Sequence, residues 1–533
     1  MEKSHCQYGP PVKLSTIHYP LSALLCLLLL LAGCHKPESD QKDKPDERPL
    51  EGMKLRLAVV DDPALAAAVV QARGEWNAQT GAELEVIETT EKDLLKGDQL
   101  PTDAALCPSH LMGVLAERQW LAPVPKQVLH DPEWAGVFPL IRLREAVWGR
   151  QTMAVPFGSP VFCCYYRADL LEKLGRRPPK TWAEYQELAQ RLAENSPRPQ
   201  TGEAPDKKNS PRPLGEGQGV RAWSGTIEPL APGWAGLVLL ARAAPYAKHR
   251  DNYSALFDIE TMTPLVAGPP FVQALEELVA AAKLGPANPL RYDPAAVRSA
   301  FWNGQCGMAL TWPTAAKNKA SPGGLVASAT STNVASATNT NDRIANNPDP
   351  SIRVGFVELP GSPRVFNLSG GAWEQRTDDD NPHVPLLSIA GRLGVVGKDS
   401  AHTEAAFQLL LWLSDSQRSP QTSAASSATT LFRQSNLESP SQWVEKPVSA
   451  TAAVKYADAT EAALHHEQWL GALRLPGRTE YLAALDDAVA AAVRGKKSPE
   501  AALQEAAVKW QKITKRLGVE RQKAAYRHSL GLE

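Results

Sequence analysis

Met53–Val60, MKLRLAVV, alternates polar and apolar side chains and then turns wholly apolar. That is the pattern of a strand that begins at a surface and ends in a core. Asp61-Asp62-Pro63 follows, with Asp62 placed to cap a helix and Pro63 in its first position. Leu65, Val69, Ala72 and Trp76 then recur at helical spacing until Gly81 stops the run. Glu83–Glu88 reads as a second strand, closing a βαβ opening, and Asp103–Cys107 as a short third. Further helices are predicted at His110–Gln119, Ala168–Leu174, Lys180–Leu192, Trp234–Arg242, Phe271–Leu284, Asp293–Phe301 and Thr403–Ser414. Two more, Thr479–Val493 and Pro499–Arg516, fill the tail, the second capped by Ser498. Strands are predicted at Arg353–Glu358 and Leu393–Val396, and in the block Asn303–Pro313, where Trp312 stands at a strand end. Strands alternating with helices, without an internal repeat, predict an α/β architecture.

One stretch stands out as a connection between structural units. Ala154–Lys173, AVPFGSPVFCCYYRADLLEK, opens as an aromatic-rich strand punctuated by Gly158 and Pro160 and turns helical at Ala168. Gly175, Pro178 and Pro179 end that helix, and Thr181-Trp182-Ala183-Glu184 spells a capping box for the next. The stretch is expected to carry the chain from one lobe to another across a ligand cleft. Further crossings are expected at Phe301–Trp312 and near Asn436–Gln442. Two polar segments without periodicity, residues 194–219 and 315–350, are expected to be loop or disordered inserts.

The N-terminus reads as a targeting segment. Lys3 and Lys13 precede the apolar run Leu21–Leu31, too short to span a bilayer comfortably, which ends in Leu31-Ala32-Gly33-Cys34. This resembles a bacterial lipobox, with Cys34 as the lipidated residue and residues 1–33 as the signal peptide. Residues 34–52 are then a charged, proline-bearing tether. With 57 basic and 58 acidic side chains the net charge is −1, so no field of either sign would draw nucleic acid or anionic lipid. Cys107, Cys163, Cys164 and Cys306 show no CxxC pair and no spacing for a metal, and are expected as buried thiols. Neither a cofactor nor a metal is expected. Tryptophan, at 14, outnumbers tyrosine at 11 and phenylalanine at 10, a surplus suited to a stacking surface.

The order of pieces resembles one family along the mature chain. The matching segments are the lipobox, AVPFGSPVFCCYYRADLLEKLGRRPPKTWAEYQELA, FWNGQCGMALTW, VGFVELPG with SGGAW, LGVVGKDSAHTEAAFQLLLWL, and RTEYLAALDDAVAAAVRGKKSPEAALQEAAVKWQKI. Together they are similar to the extracellular solute-binding proteins of the maltose/carbohydrate type (family 1), the capture subunits of ABC importers. The resemblance implies a two-lobed periplasmic-binding-protein fold of type II, its lobes joined by crossing hinge strands and closing on ligand. It implies lobe one from residues 53–157 and 303–436, and lobe two from 158–302 and 437–533. Implied partners are a small solute, most often a sugar, and ABC permease subunits. A monomer lipid-anchored on the periplasmic or extracellular face of a bacterial membrane is expected.

A neutral sugar offers hydroxyls and an apolar face, so its site needs flat aromatic walls and a few fixed polar groups. Trp312, Trp373, Tyr165, Phe157 and Trp223 are the aromatic candidates. Asp61 and Asp62 follow the first strand, where open α/β sheets place ligands, and Arg433 leads back toward lobe two. Asp62 serves equally as a helix cap. Catalytic signatures are lacking: the pairs Asp61/Asp62 and Asp486/Asp487 point apart rather than flank one bond. An exported lipoprotein glycan hydrolase and a ligand sensor docking on a receptor remain the alternatives.

Overall fold

The computed structural model describes residues 48–195, 223–316, 352–377 and 380–533. Cys34, the signal peptide, most of the tether and nearly all of both expected inserts lie outside those residues. In chain order the strands of the two main sheets and one hairpin are β1 (Lys54–Val60), β2 (Glu83–Thr89), β3 (Ala104–Pro108), β4 (Val155–Pro156), β5 (Cys163–Arg167), β6 (Ser224–Ile227), β7 (Cys306–Thr311), β8 (Val354–Glu358), β9 (Arg364–Asn367), β10 (Ala372–Gln375) and β11 (Arg392–Val396).

The first sheet runs β2-β1-β3-β11-β4. β1 lies parallel to β2 and β3, with Leu57 opposite Val86 and Ala104, while β11 pairs antiparallel with β3 and β4. The apolar end of β1, Leu57–Val60, is buried throughout, as a central strand covered on both faces must be. The second sheet runs β8-β5-β7-β6. There β5 is antiparallel to β8 and β7, and β6 is parallel to β7. Each sheet is the core of one α/β lobe.

The capping box forms: Thr181 Oγ1 accepts from the Glu184 N–H, and Glu184 Oε2 accepts from the Thr181 N–H, both at 3.2 Å. The helix it opens, Trp182–Glu194, lies so close on β6 that a Cβ at Gly225 would fall 2.0 Å from the Ala189 carbonyl oxygen.

The expected lobe boundary at residues 302/303 is corrected by strand pairing. β7 and β8 both belong to the second sheet, with Cys163 opposite Thr311 and Phe356 opposite Tyr165. Phe301–Trp312 therefore stays within lobe two, since the helix Pro294–Trp302 and the strand after it pack on each other there. The return to the first sheet comes at Leu387–Arg392, beside the outward crossing at Phe157–Phe162. Phe157 N–H donates to Arg392 O at 2.9 Å and Arg392 N–H to Gly158 O at 3.0 Å. Gly158 (φ 112°) and Gly391 (φ 115°) adopt backbone that L side chains avoid, and they let the crossings touch. Glu145 Oε1 accepts from both Ser159 and Ser388 at 2.8 Å, tying the two crossings to one buried carboxylate.

At the C-terminus a third helix, Val519–Ser529, follows the two expected ones. Its polar sequence carries little helical signal, yet Tyr526 is buried against Phe257, with ring centroids 5.2 Å apart. Among the described residues no helix is long and apolar enough to cross a membrane.

Candidate functional site

The C-terminal end of β1 starts the site. Asp61 has a left-handed φ of 50°, and its Oδ2 accepts the N–H of Glu91 at 2.9 Å, capping the next helical turn. Asp62 turns inward. Its Oδ1 accepts from the Leu65 N–H at 3.1 Å, while Oδ2 takes the Arg392 Nε at 2.9 Å and the Ser426 hydroxyl. Both oxygens of Asp62 are thus engaged inside the protein by three donors, which makes it a cap and ion-pair partner rather than a free contact.

Trp312, at the end of β7, stands opposite. Its indole N–H donates to the Ser427 carbonyl at 3.2 Å, one residue from the serine that holds Asp62. Its ring lies 5.6 Å from that of Trp234, which caps the helix Ala235–Ala247, and 5.8 Å from that of Phe162. Gly233 and Gly236 donate backbone N–H bonds of 2.6 and 2.7 Å to Asp486.

Charged groups from both lobes complete a circuit. His110, just after β3, pairs with Glu91 at 3.1 Å. Arg478, the first residue of the helix Arg478–Val493, interacts electrostatically with Glu91, His110 and Asp486. Arg478 Nε has no hydrogen-bond partner among the described residues. The chain of neighbours runs Asp61, Glu91, His110, Arg478, Asp486, Gly233, Trp234, Trp312, Ser427, Ser426 and Asp62, and closes on itself. Trp312, Ser426 and Asp62 are buried; every other member keeps some exposure to solvent. The set joins two indoles and a group of fixed charges, the two kinds of side chain that a site for a small polar ligand combines.

The electrostatics follow from partial burial. The hydrogen bond from His110 holds Glu91 below the usual carboxylate range. Burial, and then Arg478, lowers His110, so a neutral imidazole is favoured. Burial brings Arg478 down to about 10 and raises Asp486.

The other expected contacts are used elsewhere. Phe157 is fully buried in the core of lobe one, packed where a Cβ on Gly394 would come within 2.9 Å of its ring. Tyr165 is fully buried between Phe301 and Phe356, with centroids at 5.4 and 4.7 Å, and its hydroxyl donates to Glu445. Trp223 donates its indole N–H to Leu192 O at 2.7 Å and pins β6 to the helix beneath it. Trp373, on β10, has the Arg364 guanidinium 4.5 Å above its ring and Tyr246 and Phe366 at its edges. Arg433 is buried on the Glu133 carboxylate and backbone carbonyl. Phe157 and Tyr165 are thus spent on core packing, Arg433 on an ion pair, one face of Trp373 on a guanidinium, and the N–H of Trp223 on a backbone carbonyl.

Glu91, His110, Trp234 and Arg478 escape sequence reading. Each stands at or beside the start of a helical segment, and that shared position is the signal that could have found them. Of the doubled carboxylates, Asp486 faces the ring while Asp487 pairs outward with Lys509. Cys107 lies on β3 in one sheet and Cys306 on β7 in the other, and all four described thiols are free and buried. Burial pushes Cys107 up to about 12, which suppresses thiolate chemistry.

The sequence profile of bacterial extracellular solute-binding proteins matches residues 61–417. A comparison with curated protein sequences gives no match. Solved structures are similar in fold. The sugar-binding protein MalE from the phytopathogen Xanthomonas citri has a TM-score of 0.60 at 18% identity, covering 88% of this chain and 100% of that one. Maltose-bound T. maritima MalE3 scores 0.56 at 17% identity, over 86% and 100% of the two chains. An ABC transporter solute-binding protein from Agrobacterium radiobacter in complex with ribitol scores 0.56 at 17%, over 87% and 99%.

Proposed function

Because the chain belongs to the bacterial extracellular solute-binding protein family, we propose that it captures a small carbohydrate or polyol between its lobes and delivers it to an ABC importer. The observation that carries this reading is the ring, in which the pair Trp234 and Trp312 is linked through Gly233 and Asp486 to the Glu91–His110–Arg478 cluster. Indoles stack on the C–H face of a sugar, while carboxylate and guanidinium groups meet its hydroxyls. Trp312 is only 3% exposed, so a ligand reaches it when the lobes part about the paired crossings at Gly158 and Gly391. The maltose and ribitol named for the similar structures set the size class.

The family places the chain outside the cytoplasmic membrane. Acylation of Cys34 would hold it there as a monomer beside the permease. Cys34→Ser is expected to release the protein from the membrane fraction.

The test of the ring is calorimetry and thermal shift of the full chain against maltose, ribitol, mannitol and tagatose. One of these, at about a hundredfold its Kd, is expected to add about 2.7 kcal/mol of stability without being consumed. Arg478→Gln is expected to weaken that binding by about tenfold or more. Ligand turnover, or binding indifferent to Arg478→Gln and to Trp234→Ala, would refute the assignment.

A further inference from the structure

Away from the ring, a cavity of about 320 Å³ opens among Arg144, Lys248, Arg250, Tyr253, Trp469 and Arg474. It shares no residue with the ring, and its volume falls at the lower end of ligand pockets. The charge on its wall is lopsided: four cationic side chains stand against the single carboxylate of Glu467.

Arg474 feels the buried Glu145 carboxylate and Arg250 those of Glu374 and Asp380, whereas Lys248 and Arg144 form no ion pair within the described residues. Lys248 Nζ donates only to the carbonyls of Asn252 and Tyr253, at 3.2 and 2.9 Å. Arg474 spends its guanidinium on the carbonyls of Glu145, Arg144 and Ser529. Arg144 lies over the face of Trp469, 5.6 Å from its centroid. A buried ammonium without a counter-ion is costly, and a bound anion relieves that cost. Burial and the neighbouring Arg144 bring Lys248 down to about 8, the mark of a cation short of negative charge.

We propose that this cavity is a second binding site, for a small organic anion whose phosphate or carboxylate head meets Lys248 and Arg144 while its body lies on Trp469. The cavity walls come from separate parts of the chain: the turn Ile141–Glu145, the loop after the helix Ala235–Ala247, the segment Glu467–Leu475 and the C-terminal helix. An anion held there is recognised by charge, whereas the ring recognises a neutral solute.

Binding favours charged Lys248, so it draws in a proton near pH 8 and weakens as the pH rises. The test is calorimetry of the full chain with phenyl phosphate, benzoate and inorganic phosphate, in buffers of different ionisation enthalpy. Phenyl phosphate is expected to bind more tightly than inorganic phosphate, to lose about tenfold in affinity from pH 7 to pH 9, and to take up a proton at pH 8. Lys248→Met is expected to abolish the proton uptake, and Arg144→Ala, at an exposed position, to weaken binding by about tenfold. Arg478→Gln in the ring is expected to leave phenyl phosphate binding intact, which separates this site from the sugar site. Binding unchanged by Lys248→Met and Arg144→Ala, affinity independent of pH, or loss in Arg478→Gln would each overturn the proposal.

Discussion

Asp62 shows how one side chain can satisfy two sequence patterns and serve only one of them. Its place after an apolar strand fits a ligand contact, and its place before Pro63 fits a cap; the cap is what forms, with Arg392 and Ser426 on the second oxygen. Asp62→Ala removes the cap and leaves the Arg392 guanidinium, 3% exposed, without its carboxylate. The expected loss is about 3–5 kcal/mol, read from the denaturant midpoint. Asp62→Asn keeps the cap geometry and is expected to cost less. Its neighbour Asp61, with oxygen on the Glu91 N–H and a solvent-exposed side chain, remains in the ring. One position apart, the left-handed turn at Asp61 just past the strand end sends the two carboxylates to different tasks.

At the level of elements, local chemistry was readable wherever partners lie within a few residues. The capping box at Thr181 and the caps at Asp62 and Ser498 all form as their spacing demands. Thr181→Ala is expected to cost about 1 kcal/mol in thermal or chemical unfolding. The sheet to which a strand belongs was not readable, because β7 carries the same apolar pattern whichever neighbours it pairs with. The lobe boundary was therefore misplaced, and the register Cys163–Thr311 resets it. Close approach between elements was equally hidden. Gly225→Ala would drive a methyl against the Ala189 carbonyl, with an expected loss of about 3 kcal/mol, whereas Gly233→Ala meets no atom within 4 Å and tests φ strain alone.

Over the whole molecule, two crossing segments meet on Glu145. Burial raises its carboxyl above the usual range, and Oε2 has no hydrogen-bond partner among the described residues. A carboxyl raised in the folded state binds its proton more tightly there, so its cost is present at neutral pH and fades as the pH falls toward the unfolded value near 4.5. Glu145→Gln keeps an acceptor for Ser159 and Ser388 without the charge. Its Tm at pH 7 is expected to equal or exceed that of the parent, with the gap closing toward pH 4.5; a gap that widens on acidification would contradict this. The sequence by itself determined the α/β alternation, most helix boundaries and their caps, the two-lobed family resemblance and the aromatic strand that leaves lobe one. These rest on periodicity and on contacts between near neighbours. Only the tertiary structure decided which sheet each strand joined, which aromatics became core, and that Glu91, His110 and Arg478 come together from three separate parts of the chain. Phe157 and Tyr165 look the same in sequence whether they line a cleft or fill a core, because burial depends on partners more than a hundred residues away. The stretch from Ala154 links the two sheets and runs beside the return at Leu387–Arg392, a pairing that no local pattern announces.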